Sequence, residues 1–159
     1  MLFSAEERQA MIDSMRDYPA QLAALVRDLS DGDLHTVFIE GEWTVAQNVH
    51  HLADAHINAF VRIKLALTED KPTIKTWDQN LWAETPDSRD LPIDTSLAIL
   101  DGLHARWCAL WDSLSDEQWE RVVIGPSGER SIETYLRVYS NHGPAHIDQI
   151  QKTLAAKGS

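Results

Sequence analysis

Residues 139–150 read Tyr-Ser-Asn-His-Gly-Pro-Ala-His-Ile-Asp-Gln-Ile, and their two histidines, His142 and His146, are four positions apart. The histidines belong to a series at helical spacing whose other members are apolar or aromatic, namely Ile132, Tyr135, Leu136, Tyr139, Ile150 and Leu154. Side chains at positions i and i+4 of a helix lie one above the other. Both imidazoles are therefore predicted on the core-facing stripe of one helix.

Two imidazoles on a buried stripe need partners, because an unpaired polar group in a core costs on the order of a few kcal/mol. One divalent cation satisfies both, since histidines at i and i+4 can bind a single ion. The alternative is a pair of independent core histidines, each hydrogen-bonded to a neighbouring group. This helix alone leaves both interpretations open.

Length and composition restrict the class of protein. The 159 residues predict a single domain over residues 1–159, and the formal net charge is −11 with no run of Lys or Arg. This charge argues against a nucleic-acid partner and against binding to anionic membranes. No segment has the pattern of a secretion signal or of a membrane span.

The cysteine count restricts the kind of metal site. Cys108 is the only cysteine, which excludes an internal disulfide and a cysteine-rich zinc site and is typical of a reducing cytoplasm. A metal site in this chain must therefore be built from histidines and carboxylates.

Helix-capping patterns indicate the first two long helices. A capping box at Ser4 begins the first, which should run to about Leu29 with a kink at Pro19. A second capping box at Thr44 begins a helix that ends near Leu67. Residues 34–42 between them are predicted to be irregular, so that a histidine there would be solvated.

Two further long helices follow. The third is predicted to be capped by Asp94 or Thr95 and to end near Leu114, and the last begins after Ser131. A third capping box at Ser115 predicts a short helix between them.

A long crossover separates the second and third helices. Residues 69–92 show no sustained period, apart from one or two helical turns around Trp77 and Trp82. So long a connection is uncommon in a helical domain unless it packs over something, and the two tryptophans are predicted to cover a site or a core edge. We therefore predict an all-α chain, an antiparallel four-helix bundle with a long crossover between helices 2 and 3 and almost no sheet.

A metal site needs a further ligand from another helix. His104 lies on the core face of the third helix and is either a ligand or a core histidine bonded to a carbonyl, whereas His56 lies on the apolar face of the second helix and is interpreted as core. His51 shares a polar stripe with Gln47 and Asp54, which is either a solvated surface or the lining of a cleft. In the cleft interpretation, Gln47 or Asp54 would orient the imidazole.

Several segments resemble the DinB/YfiT-like superfamily, in family order and over most of the chain: residues 43–60, 64–69, 103–107 and 139–150. The resemblance implies a four-helix bundle, often a homodimer, that binds one divalent metal, usually zinc or nickel, through three histidines. The family's first ligand matches His51, the second residue of a His-His pair, and its other two ligands match His142 and His146.

The chain departs from the family between the last two ligands. Family members often carry a bulky or basic residue and a further histidine there, whereas this chain has Gly143, Pro144 and Ala145. Pro144 removes one helical hydrogen bond and crowds the Ser140 carbonyl, so the helix should bend or widen between the ligands. A later family histidine is Gln149 here, and no ligand is lost.

Three neutral imidazoles and an open position are typical of a catalytic metal site. The metal could lower the pKa of a bound water for hydrolysis, or hold a thiol as thiolate. The resemblance implies both, because one branch of the superfamily is described as metal-dependent hydrolases and other relatives transfer low-molecular-weight thiols.

Thiol transfer requires fewer catalytic groups from the protein than hydrolysis does, because hydrolysis also needs a general base. No nucleophile is well placed in the sequence, and the nearest general bases by helical position are Asp54, Asp148 and Glu133. We predict metal-dependent transfer of a low-molecular-weight thiol to a small electrophile. The alternatives are hydrolysis of a small molecule and a non-catalytic bundle that binds a metal or a small ligand.

Overall fold

The computed structural model describes residues 2–158. Within that range the elements are, in chain order, α1 (Ala5–Val26), α2 (Asp31–His35), α3 (Val45–Thr68), α4 (Gln79–Ala83), α5 (Pro86–Asp90), α6 (Asp94–Asp112), α7 (Asp116–Trp119), β1 (Val122–Gly125), β2 (Gly128–Ser131), α8 (Ile132–Ala155) and a 3₁₀ turn (Ala156–Gly158). None of the helices in this range combines the length and the apolar content needed to cross a membrane.

The long helices α1, α3, α6 and α8 form a four-helix bundle, which confirms the predicted all-α bundle with a long crossover. Helices α1 and α3 are diagonal to each other, and each packs against both α6 and α8. Side-chain contacts give the directions: Cys108 and His104 of α6 contact the carbonyls of Ile12 and Met15 in α1, so these two helices are antiparallel.

The crossover between α3 and α6 explains the remaining directions. His50 bonds to Ser96 and His56 bonds to His104, so α3 and α6 run parallel. A tight turn could not join them, because the chain must first return along the length of the bundle. The crossover in residues 69–93 makes that return, and its short helices α4 and α5 both pack on α3.

The predicted helix starts are correct where a capping box marks them. The side chains of Ser4, Thr44 and Ser115 each accept from the backbone amide three residues on, and Ser131 caps α8. Helices α1 and α6 end two or three residues earlier than predicted. The predicted side-chain cap of α6 is wrong, because its N-cap residue is Ile93.

The sequence did not predict α2, α5 or the hairpin of β1 and β2. Residues 31–35 form α2, whose N-cap Ser30 makes a capping box with Asp33, in place of the Glu or Gln that usually marks one. Strands β1 and β2 form an antiparallel hairpin whose turn contains Gly128 at a φ of 98°, a conformation that favours glycine. The sheet content is confirmed as very small.

Both prolines inside long helices are accommodated without a break. Helix α1 continues through Pro19, and α8 continues through Pro144 between the two histidines. Next to Pro144, the ring of Tyr18 occupies the space that a side chain at Gly143 would need, since a Cβ there would lie 2.5 Å from Tyr18 Cε2.

Gly143→Ala should destabilise the protein by about 1–2 kcal/mol, because overpacking against Tyr18 outweighs the higher helix propensity of alanine. The matched control is Gly102→Ala in α6, where a Cβ meets nothing within 4 Å. This control should be stabilising by roughly 0.5–1 kcal/mol. Urea denaturation of both variants measures the difference, and equal effects at the two positions would contradict the close packing of Tyr18.

Candidate metal centre

Three histidines from two antiparallel helices meet inside the bundle. His51 of α3 and His142 and His146 of α8 each offer one ligand atom, and these atoms all lie within 4.8 Å of one another. Their ring centroids are separated by 4.6 to 5.5 Å. His51 is only 3% exposed. His51 is therefore part of the interior and not of a solvated surface.

The three imidazoles are neutral at ordinary pH. Burial, together with a smaller contribution from charge repulsion by neighbouring histidines, lowers the pKa of His51 to about 3 and that of His142 to about 4. Burial also lowers the pKa of His146. Imidazole binds metal in its neutral form, so the site is already in the protonation state that a metal requires.

Asn48 determines which nitrogen of His146 is available. Its Nδ2 donates to the Thr44 carbonyl at 3.0 Å, which turns its Oδ1 towards His146 Nδ1 at 2.9 Å. An amide oxygen only accepts, so His146 Nδ1 carries the hydrogen. The lone pair of His146 Nε2 is left for a ligand.

His51 carries an unsatisfied buried atom. Its Nδ1 is buried and has no hydrogen-bond partner among the described residues. Buried polar atoms without partners are rare, and a bound ion is one of the recognised explanations. Three neutral imidazoles are also a donor set that zinc accepts with an open fourth position. The residues present therefore fit a divalent metal.

Tryptophans cover the histidines. The ring of Trp43 lies 4.7 Å from that of His51 and is stacked at 6.5 Å from that of His146. Trp77 of the crossover lies 5.7 Å from His51, and Trp82 packs against Trp77 at 4.6 Å. Of the two crossover tryptophans that were predicted to cover a site or a core edge, Trp77 packs directly on His51 and Trp82 packs on Trp77.

A cavity adjoins this aromatic wall. It has a volume of about 860 Å³, and its lining includes Trp43, Gln47, Glu42 and Arg89. None of the three histidines lines this cavity in the described part of the chain, and Trp43 connects the two, because it lines the cavity and also contacts His51.

The other histidines of the bundle core have different partners. Both nitrogens of His104 are occupied, Nδ1 by the Met15 carbonyl and Nε2 by His56, each at 2.7 Å. His104 is thus the carbonyl-bonded core histidine of the two predicted alternatives. His50 bonds to Ser96 at 2.8 Å and to the Leu91 carbonyl at 3.0 Å, and so ties α3 to the end of the crossover.

Residues that orient the candidate ligands were largely missed. Gln47, one of the two residues that would orient His51 in the cleft interpretation, bonds elsewhere: its side chain closes the capping box at Thr44 and donates to the Ala83 carbonyl. Asn48 instead orients a candidate ligand, His146. Its contact crosses from α3 to α8, and no local spacing in the sequence could indicate it.

None of the three predicted general bases, Asp54, Asp148 and Glu133, belongs to the histidine group. Among the described residues, the metal-capable group contains the three histidines and no carboxylate. Glu133 is bound to Arg8 and to the amides of Leu2 and Phe3 at the start of α1 and α8. Asp54 has a pKa raised to about 6 by burial and by the charge of Asp87.

Comparisons with known proteins agree with the fold. The DinB superfamily profile matches residues 15–150. A Geobacillus thermodenitrificans protein with the provisional name metal-dependent hydrolase is 42% identical over 158 residues, covering 98% of this chain and 89% of its own length. A Bacillus cereus protein of the same provisional name is 43% identical over 147 residues, covering 90% of this chain and 84% of its own.

Two solved structures share the bundle. YfiT from Bacillus subtilis, provisionally described as a metal-dependent hydrolase with an unusual four-helix bundle topology, superposes with a TM-score of 0.87 at 38% identity, over 94% of this chain and 89% of its own. The mycothiol-dependent maleylpyruvate isomerase superposes with a TM-score of 0.69 at 19% identity, over 91% of this chain and 59% of its own. The second likeness concerns the fold alone. By its sequence and its fold, this chain belongs to the DinB superfamily.

Proposed function

We propose that His51, His142 and His146 bind one divalent metal ion and that the chain uses it to transfer a low-molecular-weight thiol to a small electrophile. The observation that carries this proposal is the convergence of three neutral imidazoles with no carboxylate in the group. Zinc and nickel are the metals we expect, since both accept imidazole ligands.

A divalent metal at this site would lower the pKa of a coordinated thiol so that it is a nucleophile near neutral pH. The chain's own residues provide the surroundings. Asn48 holds His146 with its Nε2 lone pair free, and the rings of Trp43 and Trp77 pack against His51. The adjoining cavity is large enough for a small electrophile.

Metal-dependent hydrolysis is the second candidate, and the provisional names of relatives 42% to 43% identical to this chain favour it. Hydrolysis needs a base for the attacking water, and the absence of a carboxylate from the described histidine group weighs against it. The isomerase whose name states a dependence on mycothiol shares only the fold with this chain.

An activity assay distinguishes the candidates. The purified protein, loaded with zinc or nickel, is given small electrophiles with and without thiols, and separately a panel of esters, amides and lactones. We expect conjugation that requires both the thiol and the metal and that stops when a chelator is added. Metal-dependent cleavage without thiol would instead support the hydrolase, and inactivity in both assays would leave a metal- or ligand-binding bundle.

We further propose that two copies of the chain associate. Ile57 and Val61 lie one turn apart on α3 and are 38% and 50% exposed. Two apolar side chains stacked in this way would suit the centre of a contact between copies. Light scattering after gel filtration should give twice the mass of the chain, and Val61→Lys should lower that mass; a monomeric parent protein would refute the proposal.

A further inference from the structure

A line of hydrogen bonds runs from one candidate ligand across the bundle to the backbone of α1. His142 Nδ1 lies 3.1 Å from His56 Nε2, and His56 Nδ1 lies 2.7 Å from His104 Nε2. The line ends where His104 Nδ1 meets the Met15 carbonyl at 2.7 Å. It therefore connects all four long helices of the bundle.

The Met15 carbonyl, at the end of the line, determines which atom donates in each of the three hydrogen bonds. A carbonyl oxygen only accepts, so His104 Nδ1 carries the hydrogen and, in a neutral ring, His104 Nε2 accepts. His56 Nδ1 must then donate, which leaves His56 Nε2 to accept from His142 Nδ1. Burial is the main cause that lowers the pKa of both His56 and His104, so both rings are neutral.

The end of the line depends on Pro19. In an unbroken α-helix the Met15 carbonyl would accept from the amide of residue 19. Proline has no N–H, so within α1 this carbonyl lacks that donor. His104 supplies one from α6. The proline that was predicted to kink the helix thus frees the acceptor on which the three histidines depend.

We propose that His56 and His104 are positioning residues that hold His142 in the tautomer whose Nε2 lone pair faces the metal site. This inference rests on the proposed metal binding. Histidine ligands commonly donate their second ring N–H to a neighbour, which orients the ring and raises its basicity. Here the neighbour is the neutral ring of His56. The tautomer of His56 is set by His104, whose own tautomer is set by the Met15 carbonyl.

The line does not conduct protons away from the site. A carbonyl cannot take up a proton under these conditions, and His56 and His104 are 0% and 2% exposed. A proton entering at His142 would have no exit along this path. The arrangement therefore fixes which ring nitrogen carries the hydrogen, and it does not transfer protons.

The first test needs no metal. Long-range ¹H–¹⁵N correlation spectra of the metal-free protein report which ring nitrogen of each histidine carries hydrogen. We expect Nδ1–H for His142, His56 and His104. A spectrum in which His142 is the Nε2–H form, or exchanges between both forms, would overturn the proposal, whether or not the protein binds zinc.

Matched variants then test the effect on metal binding. His104→Met removes the acceptor of His56 at similar volume, whereas His104→Gln retains an oxygen to accept from His56 and an amide to donate to Met15. His50→Met makes the same change at another buried, hydrogen-bonded histidine that lies outside the line. Zinc dissociation constants are measured by chelator competition, with circular dichroism to verify folding.

We expect His104→Met to weaken zinc binding by about 10- to 100-fold, as for other residues that orient metal ligands, and to give His142 as a mixture of tautomers. His104→Gln should restore most of the affinity, and His50→Met should change it by less than about twofold. Equal zinc affinity in His104→Met and the parent protein would overturn the proposal. If the parent protein itself bound no zinc, the proposed function would fail while the spectra still decided the tautomer.

Discussion

His51→Ala should lower the affinity of the protein for zinc more than about a hundredfold, the largest effect that we expect of any single substitution at the site. Removing a ligand costs more than removing a residue that orients one. His51 is also the only one of the three ligands from α3, so its loss leaves two imidazoles on α8 that lie on one side of the ion.

The comparison is made by chelator competition and by elemental analysis of the purified proteins. His142→Ala and His146→Ala should behave in the same way as His51→Ala, and His35→Ala, in α2 and outside the histidine group, is the control that should bind as the parent does. If His104→Ala lost zinc while His51→Ala retained it, the proposed ligand set would be wrong. The structure argues against that outcome, because both nitrogens of His104 already have partners.

The fold was predictable because its determinants are local. Capping boxes at Ser4, Thr44 and Ser115 mark helix starts by the chemistry of four consecutive residues, and helical periodicity identifies the buried faces. Helix ends were less accurate, since no side chain marks them as clearly. The direction of α6 relative to α3 follows from the length of the crossover, which the sequence did show.

The site was predictable only in part. The spacing of His142 and His146 on one stripe follows from helix geometry, but the choice of His51 rested on family resemblance, because periodicity placed it with a polar stripe of uncertain exposure. The line of hydrogen bonds from His142 through His56 to His104 was not predicted. His56 was interpreted as a core histidine and His104 as either a ligand or a core histidine, and a hydrogen bond between residues 48 positions apart leaves no pattern in sequence.

The metal-free protein should unfold on acidification near about pH 5, because it buries many neutral histidines. An unfolded histidine has a pKa of about 6.5, whereas burial lowers the pKa of His51 to about 3 and that of His142 to about 4. Between the unfolded and folded pKa values the unfolded chain binds more protons than the folded one. Stability is therefore lost as the pH falls below about 6.5.

The expected size of the loss is large relative to the stability of a domain. At pH 5, His51 and His142 should each cost the folded state roughly 2 kcal/mol relative to pH 8, and domains are typically stable by only about 5–15 kcal/mol. Four more histidines with lowered pKa values act in the same direction: His50, His56, His104 and His146. Asp54, whose pKa is raised to about 6, acts in the opposite direction, but it is a single group against six.

Acid titration followed by far-ultraviolet circular dichroism, together with the number of protons taken up on unfolding, tests this account. We expect an uptake of more than two protons per chain, since His51 and His142 alone supply two. Saturating zinc should move the midpoint to lower pH, because the metal binds the neutral imidazoles of the folded state only. His35→Gln, which changes a histidine with an exposed hydrogen bond to the Asp31 carbonyl, should leave the midpoint unchanged. A metal-free protein that remained folded at pH 4, or that unfolded without proton uptake, would show that the core histidines are not neutral groups under strong burial.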